Sequence, residues 1–235
     1  SLLEEMPEVA ERSDGETPRF EGAELDRVSF SYREEKILSE FSLQIDKGKV
    51  LGIHGASGSG KSTLLKLLMR FWDVQKGAVR ISGEDVRDIQ TAALREMTSY
   101  VTQDTVLFRD TIAKNIAVAK LDATQAEIEA AAAKASIHDF IMSLPKGYET
   151  ELGELGDRLS GGEKQRIGLA RAFLHEADFI LLDEPTSNLD VLNEGIILKS
   201  LSEEKEGKTI VLVSHRQSTM SVADCRYHMD NGRVS

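Results

Sequence analysis

GASGSGKS, residues 55–62, matches the pattern G-x-x-x-x-G-K-[ST] at every fixed position. The apolar run 50–53 precedes it, and leucines at helical spacing follow it within 64–68. In such a strand–loop–helix setting, glycines let the backbone wrap closely around an anion, so that successive N–H groups and a helix N-terminus point at it. The sequence therefore predicts a phosphate-binding loop made of Gly55, Ala56, Ser57, Gly58, Ser59, Gly60, Lys61 and Ser62.

Two residues at the end of this loop indicate that the anion is a nucleotide. Lys61 supplies a point charge for β and γ phosphates, and the Ser62 hydroxyl is the expected ligand of Mg²⁺. A flexible glycine turn that binds nothing is the alternative interpretation. That alternative leaves the lysine and the serine at their required places unexplained.

A pair of carboxylates follows a second apolar run, residues 179–182. A nucleotide hydrolase of this type needs a carboxylate at a strand end to order Mg²⁺, and Asp183 has that position. Glu184 comes next and can polarise the attacking water as a general base. A solvated acidic turn before Pro185 is the alternative, and the buried strand before it argues against that reading.

The composition is that of a folded, acidic protein. The chain has 235 residues, of which 40% are hydrophobic and 29% charged, and this size suits one large α/β domain or two small ones. The net charge of −11 repels a phosphate backbone, so we expect no nucleic-acid partner.

The single cysteine, Cys225, cannot form an internal disulfide, which fits a reducing compartment. No window approaches the roughly 18 apolar residues of a membrane span, so we expect a soluble, cytoplasmic domain.

Hydrophobic patterning predicts the fold class. Alternation of apolar and polar residues over 28–32 and 41–46 is typical of half-buried antiparallel strands. Continuous apolar runs at 50–53, 179–182 and 210–213 are typical of strands buried in a parallel sheet. We therefore predict an α/β fold: a P-loop NTPase core with a mixed, mainly parallel sheet, an N-terminal antiparallel β layer, and a helical subdomain inserted at about residues 105–158.

A second glycine-rich segment begins a long amphipathic run. Ser160 and Glu163 have the spacing of a capping box around Gly161 and Gly162. Two glycines in the first turn of a helix cost about 0.8 to 1 kcal/mol each relative to alanine, which indicates that another group approaches the backbone closely. A phosphate at the helix N-terminus is the natural candidate.

From Phe20 to Ser235 the chain resembles the nucleotide-binding domain of the ATP-binding cassette (ABC) family. LSGGEKQRIGLARA, residues 159–172, is similar to the family's signature motif. FILLDEPTSNLD, residues 179–190, resembles its Walker B motif and the loop after it, although the family more often has alanine at Asn188. VLVSHR, residues 211–216, resembles the segment that carries the switch histidine.

The resemblance implies roles for individual residues. Tyr32 stacks on adenine, Gln103 in YVTQDTVLF senses Mg²⁺ and touches the transmembrane partner, and His215 contacts the γ-phosphate. Contacts with the bound nucleotide extend along the phosphate-binding loop to Thr63. The signature residues meet the γ-phosphate of the ATP held by the opposite subunit, and they are Ser160, Gly161, Gly162 and Glu163.

A finer resemblance points to exporters. LPKGYETELGELGDRLSGGE, residues 144–163, is similar to the exporter pattern and implies that Glu154 lies in the loop that senses the coupling helices of the membrane domain. Residues 1–19, which are rich in acidic side chains, are then the linker from a missing transmembrane domain. Residues 20–235 are the nucleotide-binding domain, which lies at the cytoplasmic face of the cell membrane.

These inferences predict an ATP-binding and ATP-hydrolysing motor domain of an ABC exporter. The partners implied are a second nucleotide-binding domain, identical or different, that closes head-to-tail around ATP, and an ABC transmembrane domain. The cofactors are ATP and Mg²⁺. Two alternatives stay open: the ATP-binding regulatory half of a heterodimeric exporter, and a soluble ABC ATPase of translation or DNA repair.

Overall fold

A computed structural model describes residues 9–155 and 158–235. Residues 1–8 of the expected linker and the side chain of Glu154 lie outside that description. In the described ranges, the strands are β1 (Ala23–Tyr32), β2 (Glu35–Ile45), β3 (Val50–His54), β4 (Lys76–Ile81), β5 (Glu84–Asp85), β6 (Thr98–Val101), β7 (Phe179–Asp183), β8 (Thr209–Ser214), β9 (Cys225–Asp230) and β10 (Arg233–Val234). The α-helices there are α1 (Lys61–Leu68), α2 (Thr91–Met97), α3 (Ile112–Ala117), α4 (Gln125–Lys134), α5 (His138–Ser143), α6 (Leu152–Leu155), α7 (Gly161–His175) and α8 (Val191–Glu204).

The N-terminal strands form the antiparallel layer that the alternating pattern predicts. Its order is β2-β1-β4-β5, and every neighbouring pair is antiparallel. Val28 and Phe30 of β1 are fully buried and pair with Phe41 and Leu38 of β2. One face of this layer therefore contributes to the core around helix α1.

A second sheet has the order β10-β9-β3-β8-β7-β6, and β9, β3, β8, β7 and β6 run parallel to one another. All residues of β7 and β8 are buried, which explains their continuous apolar sequences. In this order the carboxyl ends of β3, β8, β7 and β6 lie side by side at one edge. Ligands of open α/β sheets bind outside that edge.

Helices α3 to α6 lie between β6 and α7 in the chain, where the sequence predicts a helical subdomain. The buried residues Ile128, Ala131 and Ala132 of α4 contribute to a core shared with α7. Thr124 and Glu127 have the spacing of a capping box, and half of it forms: Thr124 Oγ1 accepts a hydrogen bond from the Glu127 amide at 3.2 Å. The Glu127 carboxylate instead accepts from Lys120 at 2.7 Å, since an ammonium group is a stronger partner than a backbone amide.

The described part of the lead-in is attached to the domain, where the sequence predicted a solvated linker. The Glu16 amide donates to the carbonyl of Asp88, and the Gln90 amide donates to the carbonyl of Glu16, both at 2.8 Å. Arg12 accepts from the amide of Thr91 at 2.9 Å, at the first residue of α2. A Cβ at Gly15 would lie 2.7 Å from the Asp88 oxygen, so glycine permits this contact. In the described ranges, the structure has no helix long and apolar enough to cross a bilayer.

Candidate nucleotide-binding site

The predicted site residues converge at the carboxyl edge of the parallel sheet. The glycine-rich loop follows β3, and the loop that carries His215 follows β8. Glu184 follows β7, and Gln103 lies two residues beyond the end of β6. Since these four strands are neighbours, chain segments far apart in sequence meet at one place.

The glycine-rich loop has the geometry of an anion cradle. Gly58 and Gly60 have φ angles of 81° and 99°, a region that side chains rarely adopt. Gly60 is the N-cap residue of α1, and it has no side chain that could accept a hydrogen bond from the first amides of the helix. No acceptor for the amides of Gly58, Gly60 or Lys61 is found among residues 9–155 and 158–235. These donors therefore stay available to phosphate oxygens, and the loop fits a nucleotide.

Lys61 is held inside the site. Its side chain is 4% exposed, donates to the carbonyl of Ala56 at 2.8 Å, and lies 4.0 Å from a carboxylate oxygen of Glu184. Burial lowers the pKa of the Lys61 ammonium group, while the negative charges of Glu184 and Asp183 oppose that shift. A cation buried beside two carboxylates suits an incoming phosphate that carries several negative charges.

Asp183 is oriented by two hydroxyl groups. Ser62 Oγ donates to Asp183 Oδ1, and the Tyr100 hydroxyl donates to Oδ2, each at 2.9 Å. Burial and then the negative charge of Asp183 raise the pKa of Tyr100, so the phenol keeps the proton that it donates. The Ser62 and Asp183 oxygens are ligands that Mg²⁺ accepts together with phosphate oxygens and water, so this part of the site fits the metal.

Removal of the Tyr100 hydroxyl is expected to weaken Mg²⁺ binding. In Tyr100→Phe, one oxygen of Asp183 loses its donor, and loss of such a partner typically costs about tenfold in metal affinity. Titration of Mn²⁺ into the nucleotide-loaded chain, followed by electron paramagnetic resonance, measures this affinity. Tyr227→Phe, at a half-buried tyrosine of β9, is the matched control. Equal Mn²⁺ affinity in the two variants would contradict the role of Tyr100.

Glu184 and His215 form a direct pair. His215 donates from its amide to Glu184 Oε1 at 3.1 Å, and its Nδ1 lies 3.0 Å from Oε2. The Glu184 backbone has a φ of 50°, a left-handed conformation that costs a non-glycine residue about 1 to 2 kcal/mol. Such strain is concentrated at functional positions. Glu184 is thus fixed at the sheet edge with its carboxylate beside His215 and near Lys61.

Tyr32 and Gln103 contact different elements of the site. The Tyr32 hydroxyl is 3.3 Å from Thr63 Oγ1 of α1, and its ring packs edge-on against Trp72 with 4.9 Å between centroids. Gln103 is exposed and donates from its side chain to Ser187 Oγ at 3.2 Å. The structure therefore places Tyr32 beside the phosphate loop and Gln103 beside the loop after Glu184. The assigned contacts with adenine and Mg²⁺ stay predictions.

The predicted capping box at the start of α7 is present. Ser160 Oγ accepts from the Glu163 amide, and the Glu163 carboxylate accepts from the Ser160 amide, both at 3.2 Å. A Cβ at Gly162 would lie 2.2 Å from Asn193 Oδ1, so a side chain of the same chain makes the close approach that we attributed to a phosphate. At Gly161 the nearest atom, from Leu189, is 3.4 Å away. The chain's own packing thus explains one of the two glycines.

The signature residues are separate from the phosphate loop within one chain. Ser160, Gly161, Gly162 and Glu163 make no hydrogen bond to residues 55–63 in the part of the chain that the structure describes. They lie instead against the loop 186–190 and the first turn of α8. In one copy of the chain, the described hydrogen bonds therefore do not join the two predicted halves of the site.

Asn188, which departs from the family pattern, has a local structural reason. Its φ angle is 63°, in the left-handed region. Asparagine adopts that conformation more readily than alanine because its short amide can form local hydrogen bonds. The substitution suits the backbone of this loop, and it removes no group from the site.

Comparisons with known proteins agree with this geometry. The family model for ABC transporters matches residues 38–187. A Haemophilus influenzae protein, named provisionally as an ABC transporter ATP-binding/permease protein, is 57% identical over the whole chain. A Bacillus subtilis protein, YgaD, named provisionally as a multidrug export ATP-binding/permease protein, is 46% identical over 91% of the chain. The chain spans 43% and 37% of these two relatives, which is less than half of their length.

A solved structure of a bacterial Atm1-family ABC exporter with ATP bound superposes with a TM-score of 0.90. It is 39% identical, and the match covers 97% of this chain and 41% of that one. The fold and the phosphate loop define a P-loop nucleotide-binding domain, as the sequence predicted. The chain belongs to the ABC transporter family, as a nucleotide-binding domain.

Proposed function

We propose that this chain hydrolyses ATP with Mg²⁺ and thereby drives export through a transmembrane domain. The observation that carries the proposal is the Glu184–His215 pair beside Lys61, at the edge where the phosphate loop opens. A carboxylate, a histidine and a buried ammonium group at one place are what hydrolysis of a terminal phosphate requires. This arrangement also favours an active domain over a regulatory half that only binds ATP.

Each residue has a task that follows from its position. Lys61 and the loop amides bind the β and γ phosphates, and Glu184 accepts a proton from the attacking water. His215 supports the Glu184 carboxylate through two contacts, and its proposed task is to contact the same phosphate. Mg²⁺, when held by Ser62, Asp183 and Gln103, would neutralise charge that develops on the phosphate oxygens. The protein supplies position and charge, which are the main contributions to phosphoryl transfer.

The signature helix indicates that the complete site needs two copies of the domain. The residues at the N-terminus of α7, a helix of 15 residues, make no hydrogen bond to the phosphate loop of their own chain within the described ranges. A head-to-tail pair would bring Ser160 and Gly162 of one copy to the γ-phosphate bound by Lys61 of the other. ATP then stabilises the closed pair, and its hydrolysis removes the contact that joins the copies.

The names of two relatives combine ATP binding with a permease, which supports a transmembrane partner for this chain. We propose that residues 1–19 connect the nucleotide-binding domain, residues 20–235, to a transmembrane domain. The nucleotide-binding domain includes a helical subdomain at about residues 105–158. This subdomain and Gln103 are the surfaces proposed to receive the movements of the transmembrane domain. The ATPase then acts at the cytoplasmic face of the membrane. The transported substrate depends on the transmembrane helices of the whole protein.

Mixing two inactive variants tests the head-to-tail pair. Lys61→Met removes the phosphate-binding charge, whereas Ser160→Asp keeps an N-cap residue and places a negative charge against the γ-phosphate. Each variant alone is expected to hydrolyse almost no ATP. Random pairing of the two restores one intact site in half of the dimers, so up to about a quarter of the sites recover. Phosphate release from the mixture measures this recovery.

The control is a mixture of each variant with the wild-type chain, which shows whether the variants still associate. If they associate but their mixture stays inactive, the two elements belong to the same copy's site and the head-to-tail proposal is wrong.

A further inference from the structure

Arg216, the residue after His215, connects two loops of the site. Its Nη1 donates to the carbonyl of Thr186 at 2.7 Å and to that of Leu189 at 2.9 Å. One nitrogen thus binds both ends of the loop 186–189. The planar guanidinium group suits such a bridge because its donors have fixed directions.

The other side of Arg216 is held by a buried network. Its Nε lies 3.2 Å from Glu194 Oε2, and the Glu194 side chain on α8 is 7% exposed. The same Glu194 oxygen accepts from Thr219 Oγ1 at 3.4 Å, and Thr219 Oγ1 is 2.8 Å from Thr186 Oγ1. Thr186 and Thr219 are fully buried. The network therefore returns to Thr186, in the same loop that Arg216 bridges. Each polar side chain of the network has a hydrogen-bond or ion-pair partner.

The position of this network indicates that it fixes the geometry of the site more than it stabilises the fold. A buried ion pair adds little net stability compared with apolar groups of similar size, but it fixes geometry when every hydrogen bond is made. Here the network fixes the chain segments next to Glu184 and His215, since Thr186 follows Glu184 by two residues and Arg216 directly follows His215. Ser187 in the same loop accepts the side-chain hydrogen bond of Gln103. The guanidinium group of Arg216 therefore connects the segments of Glu184 and His215, and Ser187 connects the segment of Gln103 to the same loop.

We propose that Arg216 is a positioning residue that holds the loop 186–189 against the His215 segment, so that Glu184 and His215 keep one geometry during hydrolysis. The inference rests on the proposed ATPase function. Arg216 itself touches carbonyl oxygens and a carboxylate of its own chain, and acts on the reaction through Glu184 and His215.

Arg216→Lys tests the proposal because lysine keeps the charge, but its single nitrogen cannot bind Glu194 and both carbonyls at the two places that Nε and Nη1 of arginine have. We expect the ATP affinity to stay within about twofold of wild type, since Tyr32 and the phosphate loop are untouched. The turnover rate falls about tenfold, the effect of a misplacement smaller than 1 Å. Hydrogen exchange at the amides of Ser187 and Leu189 becomes faster, because these donate to Glu184 and Thr186 within the loop.

Arg171→Lys is the matched control, since Arg171 also donates to two backbone carbonyls, those of Asn115 and Val106, which lie outside the loop 186–189. It is expected to leave the exchange of the loop 186–189 unchanged. Glu194→Gln is the second variant if Arg216→Lys fails to fold, and it should accelerate the same two amides to a smaller extent.

Wild-type turnover and wild-type exchange in Arg216→Lys would overturn the proposal. A general loss of thermal stability, with a raised KM and exchange accelerated throughout the chain, would overturn it too, because Arg216 would then only stabilise the fold. If the wild-type chain hydrolyses no ATP, the proposed function fails. The exchange comparison still decides whether Arg216 orders the loop.

Discussion

Glu184→Gln hydrolyses ATP at least about a hundredfold more slowly than the wild-type chain and still binds it, because an amide cannot accept the proton of the attacking water. The substituted side chain has the same shape and keeps one oxygen for the His215 amide, which donates to Glu184 in the wild type. The phosphate loop is unchanged. The variant therefore accumulates with ATP bound, and the head-to-tail pair that ATP stabilises is expected to persist.

Phosphate release measures the loss of hydrolysis, and small-angle scattering with ATP or ADP measures the association. The control is Glu21→Gln, which alters an exposed carboxylate near Lys47, far from the site in the sequence and outside the described contacts of the site. It should behave as wild type in both measurements. Ordinary turnover by Glu184→Gln would remove Glu184 from its assigned role, whereas slow turnover with no ATP-dependent association would contradict the dimer alone.

Lys61→Met is expected to lose most of the affinity for ATP. Hydrogen bonds to charged groups contribute about 1.5 to 3 kcal/mol, which corresponds to a loss of about tenfold to a hundredfold in affinity. The apolar stem of methionine fills the buried space that the lysine stem has, so the chain without nucleotide should keep its melting temperature. The rise in melting temperature that Mg²⁺-ATP gives the wild type should disappear at moderate ATP concentration.

Lys66→Met is the matched control, since Lys66 lies on the same helix and its amine is 5.2 Å from the centre of the Trp72 ring. This variant should retain the ATP-dependent rise. A Lys61→Met chain that ATP stabilises as well as wild type would show that the loop amides alone hold the nucleotide.

Local patterns sufficed to predict the main parts of this molecule. The phosphate loop is a contiguous strand–loop–helix segment, so residues 50–68 contain all the information about its form. Asp183 directly follows the apolar run 179–182, and His215 follows the run 210–213 after one serine, which places both near strand ends without knowledge of the strand order. The capping box at Ser160 and Glu163 also needs only its own four residues.

The parts that sequence reasoning missed depend on contacts between distant segments. Tyr100 binds Asp183 only because β6 lies next to β7, and that order cannot be derived from the two strand sequences. The available signal was a tyrosine three residues before Gln103. The bridge made by Arg216 and the approach of Asn193 to Gly162 likewise join segments about 30 residues apart. Their residue types are common on protein surfaces, so composition and spacing give no sign of them.

The contacts of residues 12–16 have a practical consequence for the choice of a fragment. A fragment that starts at Phe20, the predicted beginning of the domain, would leave the amides of Gln90 and Thr91 without the carbonyls that now accept from them. The first residue of helix α2, Thr91, would lose the carbonyl of Arg12 as its hydrogen-bond acceptor. Helix α2 is followed directly by β6, the strand that leads to Gln103. Recombinant versions of this domain should therefore begin before Arg12, so that the end of α2 and the start of β6 are measured in their native setting.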